Sequence, residues 1–292
     1  MDSTSRRPTR LLSQWNQISD VAAKRSGASG RRPLRIHTRV GVHNGSDKPA
    51  LILVPGLVVT SRNVAPTARL LQERFSVFAL DLPGFGKSDK PAKVLSVPQL
   101  ATALLEWMDV VGLGKAHLLG NSFGCQVIVE VAARHPERVG RLVLTGPALD
   151  PAIRTFWKPI LRLLLDGFYE PALIAPTLYD FLEMGPRRVW GTYLAALADR
   201  IEDKLPILHM PVLLARGERD PIASQPWLEC MASLLGNVQA QMLAGAPHAL
   251  AFSAPKKVAE LAEAFLGVDR QMLKPNEPPL HRSGTPVIMP TP

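Results

Sequence analysis

The sequence predicts an α/β protein in which a mostly parallel sheet is covered by helices on both faces. Short apolar runs alternate with amphipathic helical patterns. A Gly-x-Ser-x-Gly turn stands between one apolar run and a helix, and an aspartate and a histidine follow two later runs. The chain has 292 residues, which is enough for one large domain with insertions or for two domains at most.

The predicted strands are short apolar runs bounded by turn residues, as expected for buried parallel strands. They cover residues 50–54, 75–80, 116–119, 142–144, 212–215 and 238–242. Apolar residues recur at helical spacing in three segments, which predicts helices over 100–111, over 123–134 before a His-Pro pair, and over 258–266 before a glycine. Repeated strand–helix units predict a parallel sheet, with the core in residues 36–149 and 205–267.

Residues 150–204 interrupt this alternation, because they show helical patterns without a strong strand. They hold eight of the 17 aromatic residues of the chain. We predict a helical cap whose aromatic side chains cover a pocket, although an inserted helical unit also needs aromatic residues for its own core.

The two ends of the chain differ from the core in composition. Residues 1–35 hold eight Lys/Arg against two Asp/Glu, so this segment carries +6 of the net +9 and is predicted to be a basic flexible leader. Within it, apolar residues between Leu11 and Ala22 recur at helical spacing, which leaves open a short amphipathic helix that lies on a membrane surface or on the body of the protein. Residues 268–292 are rich in proline and predict a disordered tail.

Composition argues against several classes of protein. No apolar stretch approaches the roughly 18 residues that a membrane helix needs, and the charge of the core gives no reason to expect nucleic acid as a partner. The chain has two cysteines without metal-site spacing, so neither a disulfide framework nor a metal is predicted. We expect a cytoplasmic protein without a cofactor. The oligomeric state stays open.

The strongest local motif is Gly120-Asn121-Ser122-Phe123-Gly124, between a predicted strand and a predicted helix. In this context the turn presents the serine hydroxyl at the carboxyl end of the sheet, and the glycines relieve crowding around it. A neutral serine is a weak nucleophile and needs a base nearby. Ser122 is therefore the predicted nucleophile.

Asp220 and His248 are the predicted partners of Ser122. Each follows the carboxyl end of a predicted strand, and the chain order of serine, acid and histidine is the one that this turn requires. His248 would accept the serine proton, and Asp220 would orient the imidazole. Asp150 and Glu218 are rival acids. Cys125 is expected to pack in a helix rather than act as a nucleophile.

Acyl transfer also needs donors for the developing oxyanion. We predict the backbone N–H groups of Phe123 and of Leu57, which follows a strand and Pro55-Gly56. An ordinary Pro-Gly turn is the alternative reading of the latter loop.

The stretch 81–88, Asp-Leu-Pro-Gly-Phe-Gly-Lys-Ser, contains the Gly-Lys-Ser of phosphate loops. A phosphate loop would need glycine where Asp81 stands, and a dinucleotide fingerprint would need a small residue where Asp89 stands. We therefore interpret it as a structural loop beside the active site.

Over residues 36–267 the sequence resembles the α/β-hydrolase superfamily. The resemblance rests on the order along the chain of Pro55-Gly56, the 81–89 loop, the turn at Ser122, Asp220 and His248. The resemblance is strongest to lid-bearing esterases and to hydrolases of meta-cleavage products. It implies an eight-stranded, mostly parallel sheet with a cap after the sixth strand. Serine at the turn argues against haloalkane dehalogenases and epoxide hydrolases, which have aspartate there. Pro55 departs from the histidine of many relatives.

The function that these residues predict is hydrolysis of a carboxylic ester or similar acyl substrate with an apolar or aromatic part, through an acyl-enzyme. The alternatives left open are hydrolysis of a carbon–carbon bond with the same residues, haloperoxidase-like chemistry without a cofactor, and a non-catalytic protein that binds a ligand in the pocket.

Overall fold

The computed structural model of the protein describes residues 17–23, 34–41, 48–151 and 154–267. Its strands are β1 (Gln17–Ala23), β2 (Leu34–Gly41), β3 (Ala50–Val54), β4 (Ser76–Leu80), β5 (Ala116–Asn121), β6 (Val139–Thr145), β7 (Val212–Gly217) and β8 (Val238–Leu243). They form a single sheet in the order β1-β2-β4-β3-β5-β6-β7-β8. Strand β2 runs antiparallel to β1 and β4, and the other neighbours are parallel. The predicted eight-stranded, mostly parallel sheet is confirmed.

Most helices occupy the segments between these strands, and the last two follow β8. They are α1 (Ser61–Leu71), α2 (Val97–Val110), α3 (Phe123–Arg134), α4 (Lys158–Tyr169), α5 (Pro171–Met184), α6 (Pro186–Ala198), α7 (Gln225–Leu234), α8 (Leu250–Ser253) and α9 (Pro255–Leu266). Local sequence explains several boundaries. A capping box between Ser96 and Gln99 begins α2, and α3 ends before Pro136.

Successive residues of the central strands supply two separate cores. Ile52 and Val54 of β3 face a core closed by α2, α3 and α7, whereas Leu51 and Leu53 face a core closed by α1, α8 and α9. This alternation is what a strand buried on both faces requires. Because β5, β7 and β8 are parallel, the loops after them open at one edge of the sheet.

Helices α4, α5 and α6 lie between β6 and β7, inside the segment 150–204 for which we predicted a helical cap. Two short 3-10 segments, Ile201–Asp203 and Leu205–Ile207, lead from α6 back to the sheet. We call α4, α5 and α6 the helical insertion.

The prediction for the N-terminal segment was wrong in one respect. Gln17–Ala23 forms the edge strand β1, paired antiparallel with β2, where we expected a flexible leader and considered a helix. Short apolar patterns do not distinguish a helix from a strand, and pairing with β2 supplies the hydrogen bonds that decide between them. The rest of residues 1–33 and the tail 268–292 lie outside the described residues.

Within the described part of the chain, no helix reaches the length and hydropathy that crossing a bilayer requires.

Candidate active site

Ser122 stands between β5 and α3 in a backbone conformation that L-residues rarely adopt, with φ 54° and ψ −117°. Its N–H donates to the carbonyl of Thr145 at 2.9 Å, which ties the turn to the neighbouring strand β6. Positive φ costs of the order of 1–3 kcal/mol for a residue with a β-carbon, so the surrounding structure must hold the turn in place.

The two glycines of the turn are required by close backbone contacts. A β-carbon on Gly124 would lie 2.2 Å from the carbonyl oxygen of Val54, and one on Gly120 would lie 2.8 Å from the amide nitrogen of Cys125. Any side chain at either position would force the helix, the strand or the β3 loop to move. The structure therefore has the sharp strand-to-helix turn that the sequence predicts.

His248 connects Ser122 to Asp220. Its Nε2 lies 2.9 Å from the Ser122 Oγ, and its Nδ1 lies 2.8 Å from Oδ2 of Asp220. An ionised carboxylate can only accept a hydrogen bond, so Nδ1 carries the proton in the neutral ring and Nε2 accepts from the serine hydroxyl. The structure brings together the three side chains that the sequence predicted from distant positions.

Asp220 is held by its own loop. Its side chain is buried, and Oδ1 accepts from the N–H groups of Ile222 and Ala223 at 2.7 and 2.9 Å. These bonds leave Oδ2 directed at the imidazole.

The rival acids have other partners. Asp150 accepts from the hydroxyl of Ser224 at 2.7 Å, and Glu218 accepts from the N–H of Gly245 at 2.6 Å. Of the three candidate acids, Asp220 is the one with a carboxylate oxygen at hydrogen-bonding distance from the His248 ring.

Other candidate groups have structural roles. His117 lies in β5, where its Nδ1 accepts from the N–H of Arg141 and burial lowers its pKa to about 4. His135 pairs with Glu137 at the surface. Cys125 is buried with its Sγ near the carbonyl of Gly120, and burial raises the pKa of the thiol, which suppresses thiolate formation.

The loop after β3 lies against Ser122. A β-carbon on Gly56 would sit 3.3 Å from the β-carbon of Ser122, so the backbone that leads to Leu57 approaches the serine closely. Phe123 is the first residue of α3, where N–H groups lack an acceptor within the helix. Both predicted oxyanion donors are thus in segments adjacent to Ser122.

The 81–89 loop is held by the carboxylate of Asp81. Its Oδ1 accepts from the N–H of Ser61 at 2.7 Å, and its Oδ2 accepts from the N–H of Lys87 at 3.0 Å. Phe85 of this loop stacks on Phe123, with ring centroids 6.3 Å apart. The loop supports the residue after the nucleophile, in agreement with our structural interpretation.

Sequence reasoning missed two carboxyl groups of the insertion beside His248. Asp166 on α4 is buried, and Glu170, the residue directly after α4, accepts from the backbone N–H of Ala249 at 3.0 Å and from the hydroxyl of Ser253. A signal was present, since Asp166 and Glu170 are spaced i, i+4 among apolar residues, a spacing that predicts side chains on the same side of a helix near its end.

These carboxyl groups affect the charge of the histidine. Burial opposes protonation of His248, but the charge and hydrogen bond of Asp220 outweigh it, and Asp166 and Glu170 add to them, so the pKa rises to about 9. Burial also raises the pKa of Asp166, to about 7; His248 partly opposes that shift, and Glu170 reinforces it.

A second carboxylate ties the insertion to the other side of the site. Asp180 of α5 is buried, and its Oδ2 accepts from both the N–H and the hydroxyl of Thr60, each at 3.0 Å. Its Oδ1 pairs with Arg62. Thr60 directly precedes α1 and follows the 55–59 loop, so α5 is attached to the segment beside the predicted oxyanion donor Leu57.

The described residues contain no group of three or more His, Cys, Asp or Glu side chains placed to bind a metal ion.

Residues 49–177 match the model of a family described as the alpha/beta hydrolase fold. RutD of Caulobacter segnis, described as a candidate carbamate hydrolase, is 27% identical over 244 residues, or 75% of this chain and 91% of that protein. A 2-hydroxy-6-oxononadienedioate/2-hydroxy-6-oxononatrienedioate hydrolase of Pseudomonas putida is 40% identical over 116 residues, which are 39% of this chain and 40% of that protein.

Two solved structures are similar over most of the chain. A membrane phospholipase A, described as a bacterial virulence factor, superposes with a TM-score of 0.68 at 27% identity over 89% of both chains. The enol-lactonase of Burkholderia xenovorans LB400 superposes with a TM-score of 0.70 at 22% identity, over 80% of this chain and 97% of that one. The sheet order and these similarities show that the chain has the α/β-hydrolase fold and is a hydrolase.

Proposed function

We propose that the chain is a serine hydrolase that cleaves a carboxylic ester or similar acyl substrate with an apolar or aromatic part. The observation that carries this proposal is the continuous relay from the Ser122 Oγ through His248 to Asp220, with heavy-atom distances of 2.9 and 2.8 Å. Such distances allow proton transfer from the hydroxyl to the imidazole without rearrangement.

In the first half-reaction the Ser122 Oγ attacks the carbonyl carbon of the substrate while His248 Nε2 takes the hydroxyl proton. The new C–O bond moves the carbonyl electron pair to oxygen and gives a tetrahedral oxyanion. Collapse expels the leaving alkoxide, which receives the proton from His248 and departs as an alcohol. The acyl group remains on Ser122.

The oxyanion would be stabilised by the backbone N–H groups of Phe123 and Leu57. The close approach of Gly56 to Ser122 supports this role, because it brings the second donor segment next to the serine. Pro55 contributes no N–H group, so Leu57 supplies the donor of that loop.

In the second half-reaction a water molecule replaces the alcohol. His248 takes a proton from the water, the hydroxide adds to the acyl carbon, and collapse releases a carboxylic acid and returns the proton to Ser122. Asp220 stabilises the imidazolium that forms in each half. The complete reaction consumes one water molecule and requires no oxidant or reductant.

The substrate class follows from the insertion and from the relatives. Trp190 and Tyr193 of α6 pack together with Phe156, which precedes α4, and this aromatic cluster would cap an apolar portion of the substrate. The similar proteins are described as a candidate carbamate hydrolase, an enol-lactonase and a phospholipase A; lactones and phospholipids are carboxylic esters, which supports this substrate class.

Carbon–carbon bond hydrolysis is the second candidate. It is favoured by the 40% identity to the Pseudomonas putida hydrolase over 116 residues, and it would use the same three side chains. Both candidate reactions act on a small organic substrate. We continue to expect a cytoplasmic enzyme without a cofactor.

A fluorophosphonate probe tests the nucleophile directly. We expect stoichiometric labelling of the protein that disappears in Ser122→Ala and persists in Cys125→Ala, because the buried thiol has no nucleophilic role. Turnover of aryl esters, phospholipid esters and vinylogous diketones then separates the two candidate reactions. A folded protein that resists labelling would exclude the proposal.

A further inference from the structure

Helices α4 and α5 expose several large apolar side chains. The most exposed aliphatic and phenylalanine side chains are Leu161, Leu164 and Phe168 on α4, where Leu163 and Leu165 are also exposed, and Ile174, Leu178 and Leu182 on α5. Phe168 is 85% exposed, Leu182 69% and Leu164 65%. A helix on the surface of a water-soluble domain normally presents the opposite side to solvent. We refer to Leu161, Leu164, Phe168, Ile174, Leu178 and Leu182 as the apolar face.

The spacing makes this face continuous along each helix. Leu161, Leu164 and Phe168 follow the i, i+3, i+7 pattern, and Ile174, Leu178 and Leu182 follow i, i+4, i+8. Each set therefore lies on one side of its helix. Apolar patches of this extent on a protein surface mark interaction sites.

The acidic residues of the same helices point inward. Asp166 and Asp180 are buried, and Glu183 is only 26% exposed and pairs with Arg62. Burial of carboxylates beneath exposed leucines reverses the usual distribution of polar and apolar groups. The insertion is thus built with its anions against the core and its hydrocarbon outside.

The exposed charges of the insertion are cationic. Across α4, α5 and α6 the charged residues that are exposed are Lys158 and Arg187, and no carboxylate of these helices is exposed. Trp157, Tyr169, Tyr179 and Trp190, in α4, α5 and α6 or directly before α4, are also exposed. Indole and phenol rings combine an apolar body with a polar atom, which suits the boundary between hydrocarbon and headgroups.

We propose that the apolar face of the insertion docks on an anionic phospholipid bilayer, with Lys158 and Arg187 at the headgroups and the leucine and phenylalanine side chains among the acyl chains. The exposed charges of α4, α5 and α6 are all cationic, which matches a bilayer that contains anionic lipid.

Docking would place the bilayer next to the catalytic residues. Glu170, at the end of α4, contacts the residue after His248, so the apolar face lies about one helix diameter, roughly 10 Å, from the histidine loop. If the proposed esterase function holds, an acyl chain could pass from the bilayer to Ser122 over this distance. The docking itself requires no catalytic activity.

Sedimentation with vesicles of equal parts phosphatidylcholine and phosphatidylglycerol tests the proposal on the full chain. We expect the wild type to bind and Leu164→Glu/Phe168→Glu to lose at least about tenfold in partition coefficient. The matched control is Leu70→Glu/Ile207→Glu, two exposed apolar residues on α1 and on the segment Leu205–Ile207. The control should bind like the wild type. Both variants should retain hydrolysis of a water-soluble aryl ester.

Three outcomes would overturn the proposal. The first is a wild type that does not sediment with the vesicles. The second is equal binding by the wild type and the Leu164/Phe168 variant, which would assign binding to the basic residues 1–35. The third is a wild-type dimer, measured by light scattering without lipid, that becomes monomeric in this variant, which would make the face a contact between two copies. The Ser122→Ala variant tests the two proposals separately. It should lose aryl ester hydrolysis and still bind the vesicles, so a failure of docking can be told from a failure of the proposed function.

Discussion

The carboxylate of Glu170 accepts a hydrogen bond from the backbone N–H of Ala249, the residue that follows His248, at 3.0 Å. The same side chain accepts from the hydroxyl of Ser253. The position of the His248 imidazole therefore depends on Glu170, at the end of α4, as well as on Asp220.

Replacing Glu170 should impair turnover more than substrate binding. In Glu170→Ala the Ala249 N–H and the Ser253 hydroxyl lose their acceptor, the His248 loop loosens, and we expect kcat to fall about tenfold with KM changed less. Glu170→Gln keeps an acceptor oxygen and should recover most of this loss. Steady-state kinetics on an aryl ester measures both, and equal activity of Glu170→Ala and wild type would show that the bond does not position the histidine.

The activity should depend on pH through His248. The base must be neutral to accept the serine proton, and its pKa is raised to about 9, so kcat/KM should increase with pH toward that value. Glu170→Gln removes one of the negative charges that favour the imidazolium, so the midpoint of this rise should move to lower pH. A pH–rate profile of the two proteins checks the direction, and a midpoint that moves to higher pH would contradict it.

Asp166→Asn should stabilise the protein in alkaline solution. The pKa of this aspartate rises from 3.8 to about 7 on folding, mainly through burial, so the folded state holds its proton where the unfolded state has lost it. Stability is therefore lost as pH rises from about 4 to about 7. We expect the melting temperature of Asp166→Asn to exceed that of wild type by about 2–4 °C at pH 8 and by less at pH 4. Thermal scans at the two pH values provide the comparison.

Asp220 should be distinguishable from its rivals by substitution. Asp220→Asn and His248→Ala should each lower kcat by about 10⁴-fold, because the imidazole loses its orienting acceptor or is absent. Asp150→Asn and Glu218→Gln should stay within about threefold of wild type, since these carboxylates bond to Ser224 and Gly245. Circular dichroism controls for folding, and a loss in Asp150→Asn as large as that in Asp220→Asn would reassign the acid.

The parts of the molecule that the sequence predicted correctly depend on local patterns. Buried parallel strands are short apolar runs, and Gly124 is needed because its α-carbon lies against the Val54 carbonyl. Because the strands are parallel, the residues after β5, β7 and β8 lie at one edge of the sheet. Ser122, Asp220 and His248 could therefore be chosen as candidate site residues from their positions after these strands.

The parts that were missed depend on tertiary contacts. Strand β1 is defined by its pairing with β2, and its seven residues do not show a pattern that separates strand from helix. Asp166 and Glu170 become part of the site only when α4 folds back on the loop after β8. The apolar face was also unexpected, because an amphipathic pattern reports that two sides differ and does not report which side is buried.

The insertion holds the core at two points, through Glu170 at the histidine loop and through Asp180 at Thr60. A chimera that exchanges residues 150–204 for the cap of another family member would therefore have to bring acceptors for the Ala249 and Thr60 N–H groups. Without them, a graft chosen only for its substrate preference would leave two buried amides without partners and disturb both the base and the oxyanion side of the site. Engineering of specificity in this protein is best confined to side chains between these two anchor points.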